Sequence, residues 1–239
     1  MADAMTRSYK GAFKMLIGQD PNRWKRFMVS FVLFLIIAGM VMSNSMILQV
    51  LDSVFQALFG PNPNHTPNMT YHLMVVVAFL GSPKMDIVWM LIITFFLWGF
   101  KYKVPALWAW MTLIVGDLLS LIIKYVIKRD RPLQHLSHDK GYSFPSGHVV
   151  SFFLVAAVLF LIVVPLIKKA AVRVICQLLL ILAVFLVAVS RIYLYAHYPF
   201  DTVGAMLLAY AWLQISETLY LTFAGDVKNR WKMTSNSKL

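Results

Sequence analysis

The residues best suited to chemistry in this chain fall into three short clusters separated by long apolar runs. The first extends from Lys124 to Arg131-Pro132, the second is Pro145-Ser146-Gly147-His148, and the third is Ser190-Arg191 followed by His197 and Asp201. Lys124 and Arg131 are seven apart, which is two turns if the preceding helix continues. Both cations would then share one face before Pro132 halts the helix. Two cations on one face suit an anion with several oxygens, and Arg131 can grip it through two donors. The plainer alternative is a basic stretch resting on anionic lipid headgroups, and that is the reading for Lys128 and Arg129.

Ser146 stands where an N-cap is needed ahead of the apolar run 149–167, so the N–H groups of that helix's first turn open here. A helix N-terminus attracts phosphate through those N–H groups and its dipole. Gly147 keeps side-chain bulk away from such an anion, and His148 would lie beside it. In the third cluster, Pro199 suits the first turn of a helix and sets Asp201 near its positive end, where a carboxylate stays ionised. From there Asp201 could accept a hydrogen bond from the His197 ring, fix its tautomer and strengthen the opposite nitrogen as a nucleophile. A structural histidine–carboxylate pair is the alternative; Arg191 nearby and a membrane boundary around it favour chemistry.

The elements that must position these clusters are apolar throughout. The 239 residues are 60% hydrophobic and 13% charged, with a mean hydropathy of +0.71, against about 45–50% and about 25% in soluble domains. A soluble enzyme, a disordered chain and a nucleic-acid binder are excluded. Residues 27–48 carry no charge over a length of roughly 33 Å, enough to cross a bilayer core. Further runs at 104–123, 149–167, 174–190 and 202–224 read as spans. Residues 87–100 join them if Lys84 and Lys101 snorkel outward. The expected fold is all-α, a six-transmembrane-helix bundle with short interfacial helices between the first two spans. Within that interval, 51–68 reads as a loop with one short helix at most, broken by Gly60-Pro61-Asn62-Pro63, and 71–80 reads as a re-entrant or interfacial helix. The domain division is a basic tail at 1–26, a membrane domain at 27–224 whose loop 49–84 governs substrate access, and a second tail at 225–239. No cleavable signal is expected in residues 1–26, which are polar and basic.

Six spans sort the basic residues into two sets. One side holds 15 of the 22 Lys and Arg, the tails included, and the other holds 7. The positive-inside rule therefore puts both termini in the cytoplasm. All three clusters fall on the outer face under an assignment made without reference to them. Cys176 is the single cysteine, so no intrachain disulfide forms.

In order, the clusters read Lys-x6-Arg-Pro, Pro-Ser-Gly-His and Ser-Arg-x5-His-x3-Asp. This pattern resembles the type 2 phosphatidic acid phosphatase superfamily, whose bacterial members include lipid phosphatases acting on phosphatidylglycerol phosphate or undecaprenyl diphosphate. The likeness covers residues 81–219, with no departure at a motif position. It implies a six-helix membrane fold and phosphoester hydrolysis without metal or other cofactor, through a phosphohistidine. Carried over, His197 attacks phosphorus, Asp201 orients it, and His148 is the general acid that protonates the leaving oxygen. Lys124, Arg131 and Arg191, with Ser146 and the Gly147 N–H, hold the phosphate oxygens.

The expected partners are a lipid phosphate or diphosphate and the membrane lipids, with no nucleic acid and no required protein partner. The expected location is the plasma membrane, with the site facing outward. Undecaprenyl diphosphate, phosphatidylglycerol phosphate, phosphatidic acid and diacylglycerol diphosphate all present the same terminal phosphate, with undecaprenyl diphosphate favoured because outward-facing recycling suits the topology. A phosphotransferase of the same family and a lipid transporter are the competing functions. His135-x2-His138-Asp139 looks like a metal-site fragment but lacks further ligands. Asp117, inside the third span, either serves function or pairs with Ser120 or another helix. Glu217 reads as a packing residue near the cytoplasmic end. Asn64-His65-Thr66 and Asn68-Met69-Thr70 match a glycosylation pattern of little specificity. Trp89, Trp98, Trp108, Trp110 and Trp212 read as interfacial or lipid-facing.

Overall fold

The computed structural model describes residues 16–60, 68–133 and 141–230, and among them every regular element is helical. Eight α-helices follow in order: α1 Arg23–Met42, α2 Met46–Phe59, α3 Met69–Leu80, α4 Pro83–Gly99, α5 Lys103–Ile127, α6 Gly147–Val158, α7 Ala170–Tyr193 and α8 Pro199–Arg230. After α6 the helix loosens into a π turn, Leu159–Val163, and a 3₁₀ turn, Val164–Leu166. Pro165 explains the change, since it donates no N–H and its ring crowds the carbonyl four residues back.

Four helices are long and apolar enough to cross a membrane: Arg23–Met42, Lys103–Ile127, Gly147–Leu166 and Ala170–Tyr193. Met69–Leu80 and Pro83–Gly99 form a pair bent by 55°, which makes up to five if the pair is one span. Among the described residues, length and composition alone thus give this multi-pass membrane protein four to five candidate spans, where six are expected. The expected span at 202–224 is helical within α8. Gln214, Ser216, Glu217 and Thr218 lower its apolar character, and three of these four are buried in the bundle.

α6 is the central rod, packed on α4, α5, α7 and α8, while α1 lies along α8. Its own residues from Val149 to Val158 are almost all buried. Small residues make this possible. A Cβ on Gly116 of α5 would stand 2.2 Å from Leu154 Cδ1, so only glycine lets these two helices approach. Trp108 and Trp212 are core residues, 4% and 8% exposed, whose indole N–H groups donate to the Ser216 and Thr112 carbonyls at 2.9 and 2.8 Å. The interfacial reading of those two is corrected; Trp98 is half exposed.

The apolar run 27–48 is not one helix. Ser43-Asn44-Ser45 interrupts it, Asn44 adopting φ 50°, and α2 begins at once. α2 then buries Leu48 and Asp52 and exposes Met46, Ile47, Val50, Val54 and Leu58. A second correction concerns Glu217. It is a buried ion-pair partner, accepting from Arg23 Nη2 at 2.9 Å at the end of the bundle remote from the three clusters.

Candidate active site

Antiparallel threading brings the C-terminal ends of α5 and α7 and the N-terminal ends of α6 and α8 to one end of the bundle. All three clusters are there. α5 stops at Ile127 because Lys128 turns into the left-handed region at φ 54° and its N–H returns to the Lys124 carbonyl at 3.0 Å. The expected two-turn continuation therefore does not exist. Arg131 reaches the site from an irregular segment instead, its Nη1 donating to the Ala196 carbonyl at 2.6 Å and its Nε to the Gly141 carbonyl at 2.9 Å. Nη1 also stands 3.4 Å from His197 Nε2.

α7 ends at Tyr193, and the next turn folds back on it. The Arg191 carbonyl accepts the Ala196 and His197 N–H groups at 3.0 and 3.2 Å, with Tyr195 at φ 55° making the reversal. This seats a 1%-exposed His197 beside a 5%-exposed Arg191. Asp201 is the third residue of α8, and its Oδ2 accepts the Tyr198 N–H at 2.9 Å, a capping-box contact that closes the helix start. The same oxygen lies 3.6 Å from His197 Nδ1, an ion-pair distance that a slight closure converts to a hydrogen bond. His197 Nε2 is left facing Arg131.

Ser146 occupies the N-cap position with extended backbone, yet its side chain makes no cap bond. The expected side-chain cap is corrected. Its N–H donates to the Asp201 carbonyl at 3.2 Å, and its Oγ is buried without a partner among the described residues. A buried hydroxyl left this way costs about 1–3 kcal/mol until an acceptor arrives. Gly147 begins α6, and His148 follows it. The Ser146 N–H on the Asp201 carbonyl and Arg131 beside His197 set the starts of α6 and α8 and the segment after α5 side by side.

Sequence reasoning missed two members of this cluster. Arg129, read as a headgroup contact, has a side chain only 13% exposed. Its Nη1 donates to Asp201 Oδ1 at 2.7 Å and its Nη2 to Asp52 Oδ2 at 2.5 Å, and its guanidinium lies 4.1 Å over the Tyr198 ring. Burial opposes its charge, but Asp201 and Asp52 outweigh that and hold its pKa above the usual guanidinium value. Asp52 comes from α2 and also accepts the Phe200 N–H at 2.9 Å. The sequence held one signal for it, the single charged side chain on α2. Lys128, by contrast, is exposed as expected of a headgroup contact.

Asp117 pairs with another helix: Ser151 Oγ donates to it at 2.5 Å. Asp117 is two turns before Lys124 on α5, and Ser151 is three residues after His148 on α6, so this bond pins the two helices just inside the site. The described residues contain no group of three or more His, Cys, Asp or Glu able to hold a metal; His135, His138 and Asp139 lie outside the described residues. An apolar cavity of about 860 Å³ between α6, α7 and α8 reaches Arg23 and Glu217, away from the cluster.

The fold defines a multi-pass helical membrane protein with Lys, Arg and His side chains gathered at one end of the bundle. The chain belongs to the PAP2 superfamily, whose model matches residues 105–223. Two solved structures share the fold. A transmembrane PAP2-type phosphatidylglycerolphosphate phosphatase from Bacillus subtilis aligns with a TM-score of 0.73 at 21% identity, covering 82% of this chain and 96% of that one. LpxE from Aquifex aeolicus aligns with a TM-score of 0.52 at 22% identity, covering 72% and 95%. No curated protein matches the chain significantly.

Proposed function

We propose that this chain is a membrane phosphatase that removes the terminal phosphate of a lipid phosphate or diphosphate through a phosphohistidine on His197. The observation that supports the reading is the setting of His197, with Arg131 Nη1 3.4 Å from its Nε2 and Asp201 Oδ2 3.6 Å from its Nδ1. Asp201 on Nδ1 leaves the Nε2 lone pair as the nucleophile. Nε2 forms a bond to phosphorus while the bond to the lipid oxygen breaks, and His148 gives that oxygen a proton. Water then attacks phosphorus, His148 takes its proton, and the N–P electron pair returns to Nε2. Lys124, Arg131, Arg191, the Ser146 hydroxyl and the Gly147 N–H stabilise the oxygens on which charge develops; one such donor is worth about 10²–10³ in rate.

With the bent pair α3–α4 counted as one span and α8 as the last, both termini lie in the cytoplasm and the site faces outward near the headgroup plane, so the substrate's hydrocarbon tail stays in the bilayer. The substrate panel is phosphatidic acid, undecaprenyl diphosphate, diacylglycerol diphosphate and phosphatidylglycerol phosphate, the last named in the Bacillus subtilis structure. Undecaprenyl diphosphate is the favoured candidate. Phosphate release by purified protein in detergent tests the reading: His197→Ala abolishes turnover, and His148→Ala lowers it by about 10²–10⁴. Wild-type rates for His197→Ala on every lipid of the panel sink it. A newly phosphorylated acceptor in place of free phosphate replaces hydrolysis with phosphotransfer.

A further inference from the structure

We infer that Asp52, on α2 and outside all three sequence clusters, is a positioning residue for the nucleophile, acting through Arg129 on Asp201. The inference rests on the histidine chemistry proposed above. Its basis is a chain of buried contacts joining residues far apart in sequence. Asp52 Oδ2 binds Arg129 Nη2 at 2.5 Å, Arg129 Nη1 binds Asp201 Oδ1 at 2.7 Å, and Asp201 Oδ2 faces His197 Nδ1 at 3.6 Å. Arg129 therefore spans two carboxylates instead of gripping one with both donors, and the Tyr198 ring under it fixes its plane.

This arrangement has a directional consequence. With Oδ1 held by Arg129, the other oxygen of Asp201 must point at the Tyr198 N–H and at His197. Without Asp52, the full guanidinium charge would fall on Asp201, drain its negative potential and weaken its hold on the imidazole. Asp52 shares that charge. The side chains of Asp52 and Asp201 are 3% and 0% exposed, so solvent screens little of it.

Among the described residues, Asp52 is also one of two polar ties from α2 to the rest of the bundle. The other is Gln56, whose Nε2 donates to the Ile192 carbonyl at 2.7 Å, with Phe55 edge-on to Phe200 alongside. The two roles separate experimentally. Asp52→Asn keeps shape and an acceptor for the Phe200 N–H but removes the charge. Gln56→Ala weakens the seat of α2 and leaves the charge chain intact.

Steady-state phosphate release is measured for Asp52→Asn, Gln56→Ala, Arg129→Lys and the double variant Asp52→Asn/Arg129→Lys, with thermal unfolding in detergent establishing equal folded fractions. The expected result is that Asp52→Asn lowers kcat about 10–100-fold with KM within about threefold, while Gln56→Ala changes kcat less than about threefold. The double variant falls no further than the more damaged single variant, because both cut one link. A wild-type kcat for folded Asp52→Asn overturns the inference, as does an equal loss in Gln56→Ala. His197→Ala is run beside them. If it is inactive while Asp52→Asn is normal, only the inference fails; if it is active, the histidine chemistry itself fails.

Discussion

Gly204 lies one turn beyond Asp201 on α8, and its missing side chain is where Phe144 sits. A Cβ there would stand 2.5 Å from Phe144 Cε2 and 2.7 Å from Cζ. Carbon atoms rest at about 3.5–4.0 Å, so Gly204→Ala demands a displacement of about 1 Å. The Phe144 ring cannot absorb it by swinging outward, because it is fully buried and stacked on Phe34 at a centroid distance of 5.9 Å. The strain passes instead to the backbone of Pro145-Ser146-Gly147-His148, which follows directly. Overpacking of this kind costs about 1–3 kcal/mol of stability, and a 1 Å error in a catalytic group costs about 10² in rate. Gly204→Ala should therefore lower kcat about 10–100-fold, out of proportion to its effect on thermal unfolding. Adding Phe144→Leu should return much of the lost rate. A Gly204→Ala protein with wild-type kcat and unfolding temperature would show that the ring is not wedged between α8 and the Ser-Gly-His turn, and the reasoning would fail.

Three further outcomes are expected. Arg23→Ala leaves Glu217 buried opposite nothing, which costs about 3–5 kcal/mol; the pair sits about 24 Å along α8 from Asp201, so kcat per folded molecule should hold, and an unchanged unfolding temperature would contradict the pairing. Ser151→Ala strips Asp117 of its hydrogen bond inside the bundle, with a stability cost of about 1–3 kcal/mol measurable by thermal unfolding; no loss would mean the contact does not pin α5 to α6. Excess EDTA should leave phosphate release unchanged, and a rate lost in EDTA and restored by one added metal ion would refute the cofactor-free mechanism.

The motif residues were legible because their types are costly where they stand. Arg191, His197 and Asp201 sit at the ends of apolar runs, where charge persists only for a reason, and Pro199 and Gly147 mark helix starts. The helices themselves followed from hydropathy, although the run 27–48 divides between α1 and α2 and the run 149–167 loosens after α6. What failed was local in a different way. Arg129 and Arg131 lie two residues apart in a basic stretch, and nothing in the sequence shows that both turn inward once Lys128 adopts a positive φ. Ser43-Asn44-Ser45 is too short to outweigh the apolar residues around it, so the break before α2 was hidden. Trp108 and Trp212 look like any membrane tryptophan until a carbonyl on another helix accepts their N–H.

The sequence alone determined that the three clusters would meet at one end of a helical bundle, since alternating rods must return their chemistry-bearing ends to the same side. Only the tertiary structure decided which cations are buried and what they hold. Arg129 meets Asp201 across 72 residues and Asp52 across 77, and such pairings have no periodicity to betray them. They arise because the packing of α2 against the start of α8 encloses Asp52 and Asp201 beside Arg129, the cation both carboxylates share.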